Sequence, residues 1–220
     1  MAPLTLTRPT VESRRLDLGD GAGTTLRVAR FDRREFGLRV VAIDPCATLL
    51  AWCKAHAAEH AIVGGFYVRP GGPPLGDVWT EGRALPVEAF DSPWDEERAC
   101  VHANGAELAI RPRSELGEPH GDLLQAGPKL VGGRRLLVRT GRELIAAVCE
   151  GRADVEAGLS MAELAVAMRD LGAVDAINLD GGGSASLVVA GALLNTPREE
   201  HGLELVGGRE IATALQFVPR

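Results

Sequence analysis

An α/β or α+β fold is predicted for this chain, as one domain over residues 1–220 with a mixed, largely antiparallel sheet packed by a few helices. Three observations predict it. Short runs in which apolar and polar residues alternate recur along the chain, the period expected of strands with one wet face. Two other stretches carry helical spacing, and each leads into a short apolar run followed by glycines. The 27 glycines and 13 prolines lie between apolar segments and form no low-complexity tract, so they read as turns and argue against a long helical bundle.

Taken in order, residues 24–29 (TTLRVA) and 37–43 (GLRVVAI) read as antiparallel strands. Asp44-Pro45 reads as a helix start, because aspartate caps and proline suits the first helical position, and Leu49, Leu50, Cys53 and Ala57 share one face through Glu59. Residues 61–68 (AIVGGFYV) follow as a buried strand interrupted by two glycines. From Arg69 to Arg113 the chain is rich in proline and glycine, which predicts irregular connections with short strands at 98–103 and 108–111.

Residues 123–130 place a turn signal inside apolar residues, and 135–138 with 144–149 read as a strand pair ending at Glu150-Gly151-Arg152. Ser160 and Glu163 have capping-box spacing ahead of an apolar stripe of Met161, Leu164, Ala165, Met168 and Leu171, which predicts a helix ending at Gly172. A strand over 173–179, a hairpin over 187–194 around Gly191 and a last strand over 210–218 complete the chain. The succession of helix, apolar strand and glycines occurs at 45–72 and again at 160–183, so two glycine-bearing strand ends are expected to meet at one cleft.

At 220 residues and 45% hydrophobic, the chain is long enough to bury a substantial core. A formal net charge of -6 provides no cationic field for a polyanion, which makes nucleic acid an unexpected partner. No run reaches the roughly 18 apolar residues of a membrane span, and the first residues lack an apolar signal-peptide core. Together these predict a cytoplasmic protein with no membrane partner. Cys46, Cys53, Cys100 and Cys149 form no CxxC pair, and the first two would lie roughly 10 Å apart along a helix, so four free thiols are expected. The five histidines show no zinc-site spacing, and no metal ligand is assigned to them.

The chemistry concentrates in residues 178–186, NLDGGGSAS. Gly181, Gly182 and Gly183 strip side chains from a whole turn, permit positive φ and let backbone N–H groups approach a ligand. Asp180 sets a carboxylate beside that bare main chain, and Ser184 adds a hydroxyl. Such a loop suits an anionic or heavily hydroxylated ligand. It is neither a Walker loop, since no Gly-Lys-Ser/Thr follows, nor a GxGxxG dinucleotide fingerprint.

Residues 178–197, NLDGGGSASLVVAGALLNTP, resemble the signature of the phosphodiester glycosidase family. Other segments resemble that family in the same order: Val63-Gly64-Gly65-Phe66-Tyr67, Ala126-Gly127-Pro128-Lys129-Leu130-Val131, Arg139-Thr140, Glu150-Gly151-Arg152, Gly158-Leu159-Ser160, Leu171-Gly172-Ala173 and the late Arg209. The resemblance covers about residues 60–218. Val63 stands where the family pattern has Asn, Glu150 where it has Asp, and the stretch between Arg139 and Glu150 is shorter than the usual spacing.

The resemblance implies a hydrolase that cleaves the glycosidic bond of a sugar-1-phosphodiester, with a small-molecule or glycan phosphodiester as its partner. On that reading Arg139, Arg152 and Arg209, with the glycine N–H groups, hold the phosphate through guanidinium forks. Asp180 is the first choice and Glu150 the second for the carboxylate that meets positive charge developing on the sugar ring. Gly64, Gly65 and Phe66 would touch substrate from the other strand end, with Phe66 and Tyr67 as cleft wall. No cofactor is required, although Asp180 could instead hold a divalent cation beside the phosphate. Two alternatives stand beside the hydrolase: a carbohydrate- or phosphate-binding domain without turnover, and a metal-dependent phosphoesterase that breaks the P–O bond.

Overall fold

The computed structural model describes residues 8–19, 21–105, 107–132 and 142–220. The fold is α+β, and its strands come first. β1 (Thr10–Gly19), β2 (Ala22–Asp32) and β3 (Phe36–Thr48) lead into α1 (Leu49–Ala55) and β4 (Ala61–Val63). β5 (Val78–Thr80), β6 (Arg83–Ala84), the single turn α2 (Trp94–Glu97), β7 (Ala99–Asn104), β8 (Glu107–Pro112), β9 (Asp122–Gln125) and β10 (Lys129–Val131) form the middle. β11 (Glu143–Cys149), α3 (Met161–Asp170), β12 (Ala176–Ile177), β13 (Leu187–Val189), β14 (Ala192–Leu193) and β15 (Glu210–Pro219) follow.

The strands form sheets of order β1-β2-β11, β10-β12, β14-β13-β4-β15-β3 and β6-β5-β9-β7-β8. Every ladder between named strands is antiparallel. The two-residue period of β2 and β11 explains how one sheet serves two cores. Ala29 and Phe31, with Leu144, Ala146 and Val148, face the larger apolar cluster, where Phe31 stacks on Phe217 at 4.1 Å. Leu26 and Val28, with Ile145 and Ala147, face the opposite way, against Ala167 and Met168 of α3 and its C-cap residue Leu171. Each fully buried large side chain of this kind stabilises the fold by about 1.5–3 kcal/mol.

Several sequence expectations are met to within a residue or two. Ser160 Oγ accepts from the Glu163 N–H while the Glu163 carboxylate accepts from the Ser160 N–H at 2.8 Å, so the capping box starts α3 where its residues sit. The hairpin β13-β14 turns at Ala190-Gly191, with Gly191 at φ +73°. The 98–103 and 108–111 segments pair as β7 and β8, but they belong to a five-stranded sheet that the proline-rich composition did not suggest.

Other expectations are corrected. The helix read as starting at Asp44-Pro45 starts at Leu49 and ends at Ala55, because β3 continues through Asp44-Pro45 against β15 and Thr48 supplies the cap, its Oγ1 accepting from Ala51 N–H at 3.3 Å. The 144–149 strand pairs with β2, while its expected partner at 135–138 lies outside the described residues. The 173–179 strand shortens to Ala176–Ile177. The four cysteines are free. Burial pushes the Cys53 thiol up to about 11 and the Cys100 thiol to about 12, so both are inert as nucleophiles at neutral pH. No helix among the described residues is long and apolar enough to cross a membrane.

Candidate active site

β4 and β12 both end in glycine-bearing turns, and a backbone hydrogen bond joins them: Asp180 N–H donates to the Gly64 carbonyl at 3.1 Å. Gly64 N–H reaches the Thr213 carbonyl and Gly65 N–H reaches Thr213 Oγ1, each at 3.0 Å, so β15 clamps the first turn. Alongside, Gly127 N–H donates to the Asn178 carbonyl at 2.9 Å and Asn178 N–H to the Pro128 carbonyl at 3.1 Å. Segments 63–67, 126–130 and 178–186, distant in the chain, thus share one cleft, whose wall includes Val63, Phe66, Pro128, Asn178 and Asp180.

Residues 182–184 make a 3-10 turn, with Ser184 N–H donating to the Gly181 carbonyl at 3.2 Å. Gly182 favours glycine through its backbone conformation and sits close against an arginine. Its φ is +60°, and a Cβ there would stand 3.1–3.2 Å from the Arg152 guanidinium. That close approach brings Arg152 to the bare main chain. Arg152 itself has φ +57°, an uncommon conformation for a side chain of this size. Its NH1 donates to the Arg198 carbonyl at 3.3 Å and stands 3.8 Å from the Glu199 carboxylate.

Asp180 is half-buried. Burial pushes its carboxyl above the ordinary range, while the Ser184 hydroxyl, the Gly181 N–H at 2.8 Å and the charge of Arg209 favour the ionised form without cancelling the effect. Ser184 is fully buried, and its Oγ lies 3.1 Å from the Tyr67 hydroxyl. Arg209 is forked onto the Glu199 carboxylate and hydrogen-bonded to Tyr67, which together push its already high pKa further up. Its N–H also donates to the Gly183 carbonyl at 2.8 Å. Asp180, Ser184, Tyr67, Arg209, Glu199 and Arg152 therefore form one connected polar network.

The structure brings together Gly64, Gly65, Phe66, Arg152, Asp180, Gly181, Gly182, Gly183, Ser184 and Arg209 of the residues singled out in the sequence. Arg139 lies outside the described residues. Glu150 sits differently: it is 5% exposed, with Oε1 3.4 Å from Arg27 Nε and Oε2 accepting from Thr196 N–H at 3.1 Å and facing Arg198 NH1 at 3.5 Å. Both of its oxygens are thus occupied by partners within the protein. Val63, at the position of the family Asn, is 2% exposed and belongs to the larger apolar cluster.

Sequence reasoning missed Glu199, Arg198 and Arg98, and read Tyr67 only as wall. The run Arg198-Glu199-Glu200 after Pro197 is the one local hint of charge in that loop. For Arg98 the chain offers no hint, since its neighbours Phe66 and Phe90 come from elsewhere. The donors around Asp180 do not suit a divalent cation: its polar neighbours are a hydroxyl, an N–H and a guanidinium, and no group of three or more His, Cys, Asp or Glu side chains arranged to hold a metal occurs among the described residues. A cluster of N–H donors and guanidinium groups suits an anion instead.

Residues 137–218 match the family model described as phosphodiester glycosidase. No curated protein sequence matches the chain. Among solved structures, the chain is similar to the catalytic domain of zebrafish N-acetylglucosamine-1-phosphodiester alpha-N-acetylglucosaminidase, auto-inhibited by its pro-peptide. The TM-score is 0.71 at 16% identity, and the match covers 100% of this chain and 86% of that one. A hypothetical protein from Synechocystis matches with a TM-score of 0.64 at 17% identity over 97% of this chain, which spans 62% of the Synechocystis chain. Identities this low establish a shared fold. The chain thus resembles the phosphodiester glycosidase family through a family match over residues 137–218, which contains the glycine turn, Arg152 and Arg209, and through a fold shared along its length.

Proposed function

We propose that the chain hydrolyses the glycosidic bond of a sugar-1-phosphodiester, releasing the free sugar and a phosphomonoester. The observation that carries this reading is the position of Asp180, a carboxylate set directly beside a glycine turn against which the Arg152 guanidinium is packed. The likeness to the zebrafish enzyme, whose name specifies a sugar-1-phosphodiester, supports the same chemistry.

In this reading the phosphate lies over the glycine turn, facing Arg152 and Arg209. The anomeric carbon then faces Asp180. A phosphomonoester leaves with little need of a proton, so charge stabilisation matters more than acid catalysis. As the bond from the anomeric carbon to the phosphate oxygen breaks, the electron pair leaves with the phosphate and positive charge develops on the sugar ring. Asp180 meets that charge, either as nucleophile or as the base that removes a proton from the attacking water. The water oxygen ends on the sugar. Glu150, enclosed by Arg27, Arg198 and the Thr196 amide, acts as a positioning residue that orders the loop bearing Arg198 and Glu199.

The test is hydrolysis of N-acetylglucosamine-1-phosphodiesters in labelled water. The reading requires label in the sugar and a loss of kcat of about a hundredfold or more in Asp180→Asn, the scale of general-base removal. Label in the phosphate would assign P–O cleavage, and an unchanged rate in the variant would remove Asp180 from the chemistry.

A further inference from the structure

The arginines around the joined strand ends are not equally committed. Arg209 is forked to Glu199, Arg152 faces the same carboxylate at 3.8 Å, and Arg198 is shared between Glu150 at 3.5 Å and Glu204 at 2.8 Å. Arg98, which also lines the cleft, pairs with no carboxylate among the described residues. Its guanidinium carbon lies 4.3 Å from the centre of the Phe90 ring and 5.1 Å from that of Phe66, two rings set at 79° to each other. NH1 makes one long contact with the Ala126 carbonyl at 3.4 Å, and Nε, shut from solvent, has no hydrogen-bond partner.

Two aromatic rings flank the guanidinium without cancelling its charge, so the N–H groups that the Ala126 carbonyl does not take can donate to a ligand. The placement is also tied to the site. Phe66 lies two residues after Gly64, whose carbonyl receives the Asp180 N–H, and Ala126 precedes Gly127, whose N–H is bonded to the Asn178 carbonyl. Two of the groups that touch Arg98, the Phe66 ring and the Ala126 carbonyl, therefore belong to segments fastened to the strand end that carries Asp180.

We propose that Arg98 is a substrate-contacting residue that takes the phosphate group, with Phe66 and Phe90 as its braces. The proposal rests on the phosphodiester reading of the cleft but concerns binding rather than turnover. Its rival is a purely structural pairing with Asp95 in the preceding turn, whose Oδ1 is likewise buried without a partner.

Titration of the full chain with inorganic phosphate, followed by phosphorus NMR, separates the two. Arg98→Gln is expected to weaken phosphate binding about tenfold or more, the scale of a lost charge-assisted hydrogen bond, and Asp95→Asn to leave it within about twofold. Arg98→Lys, which keeps the charge and loses the planar fork, should fall between them, and it carries the test if the glutamine variant does not fold. Absent binding in the wild type, unchanged binding in the Arg98 variants, or an equal loss in Asp95→Asn would each overturn the proposal. Phosphate binding that depends on Arg98 in a protein without turnover would instead leave it standing and remove the hydrolase reading. Turnover with an unaltered KM in Arg98→Gln would do the reverse.

Discussion

The glycine pair at 64–65 and the glycine triplet at 181–183 look alike in sequence, and they are glycines for different reasons. Gly64 and Gly65 do not have positive φ. They are bare because β15 and β9 press against them: a Cβ on Gly64 would stand 2.4 Å from Thr213 Oγ1 and 2.7 Å from its backbone, and one on Gly65 would stand 2.9 Å from the Gln125 carbonyl. Within the triplet, Gly182 is left-handed and bears the Arg152 guanidinium, Gly183 is crowded by Glu199 and Leu205, and Gly181 meets nothing within 4 Å. The first turn is a packing joint. The second is a bare main-chain surface with a joint at one end.

Adding a methyl group at each position tests that distinction directly. Gly64→Ala should produce the largest effect, a destabilisation of about 3 kcal/mol or more, because the obstacle is backbone and cannot rotate away. Denaturant unfolding measures it, and a wild-type midpoint would break the comparison. Gly182→Ala should cost about 1–2 kcal/mol for its left-handed φ and, by displacing Arg152, raise KM for a phosphodiester more than it lowers kcat.

Asp180→Asn supplies the next effect, and its sign follows from burial. Because the native carboxyl titrates above its ordinary value of 3.8, the folded chain binds that proton more tightly than the unfolded chain. The stability it contributes is present at acid pH and is lost as pH rises through the native value. The variant should therefore unfold at a higher temperature than wild type at pH 7, with the difference vanishing as the pH falls below the ordinary carboxylate value. With a sugar-1-phosphodiester as substrate, the acid limb of kcat/KM of the wild-type chain should lie above the ordinary carboxylate range for the same reason. The smallest effect belongs to Gly181→Ala, within about 0.5 kcal/mol of wild type, since no atom opposes the methyl group and the backbone is extended.

Legibility in the sequence tracked distance along the chain. The capping box of Ser160 and Glu163, the hairpin at Gly191 and the last strand depend on neighbours within a turn or a strand, and each formed where its residues sit. The helix expected at Asp44 failed because the pairing of β3 with β15, from the far end of the chain, holds Ala47 and Thr48 extended, opposite Ile211 and Glu210. The meeting of the two glycine-bearing strand ends was legible from their shared succession of helix, strand and glycines, and the Asp180 to Gly64 hydrogen bond is its physical form. The state of each charge was not legible. Glu150 and Asp180 both follow apolar strands, yet one is enclosed by two arginines and the other opens to the cleft beside a glycine turn.

The amino-acid order alone determined the capped start of α3, the hairpin at Gly191, the last strand and where a bare, acid-flanked turn lies, because backbone sterics, capping and periodicity act over a few residues. Only the tertiary structure decided which arginines of the cleft pair with carboxylates and which do not. Ion pairing and desolvation depend on side chains such as Arg98 and Phe66, or Arg152 and Glu199, which the chain brings together only when its sheets close.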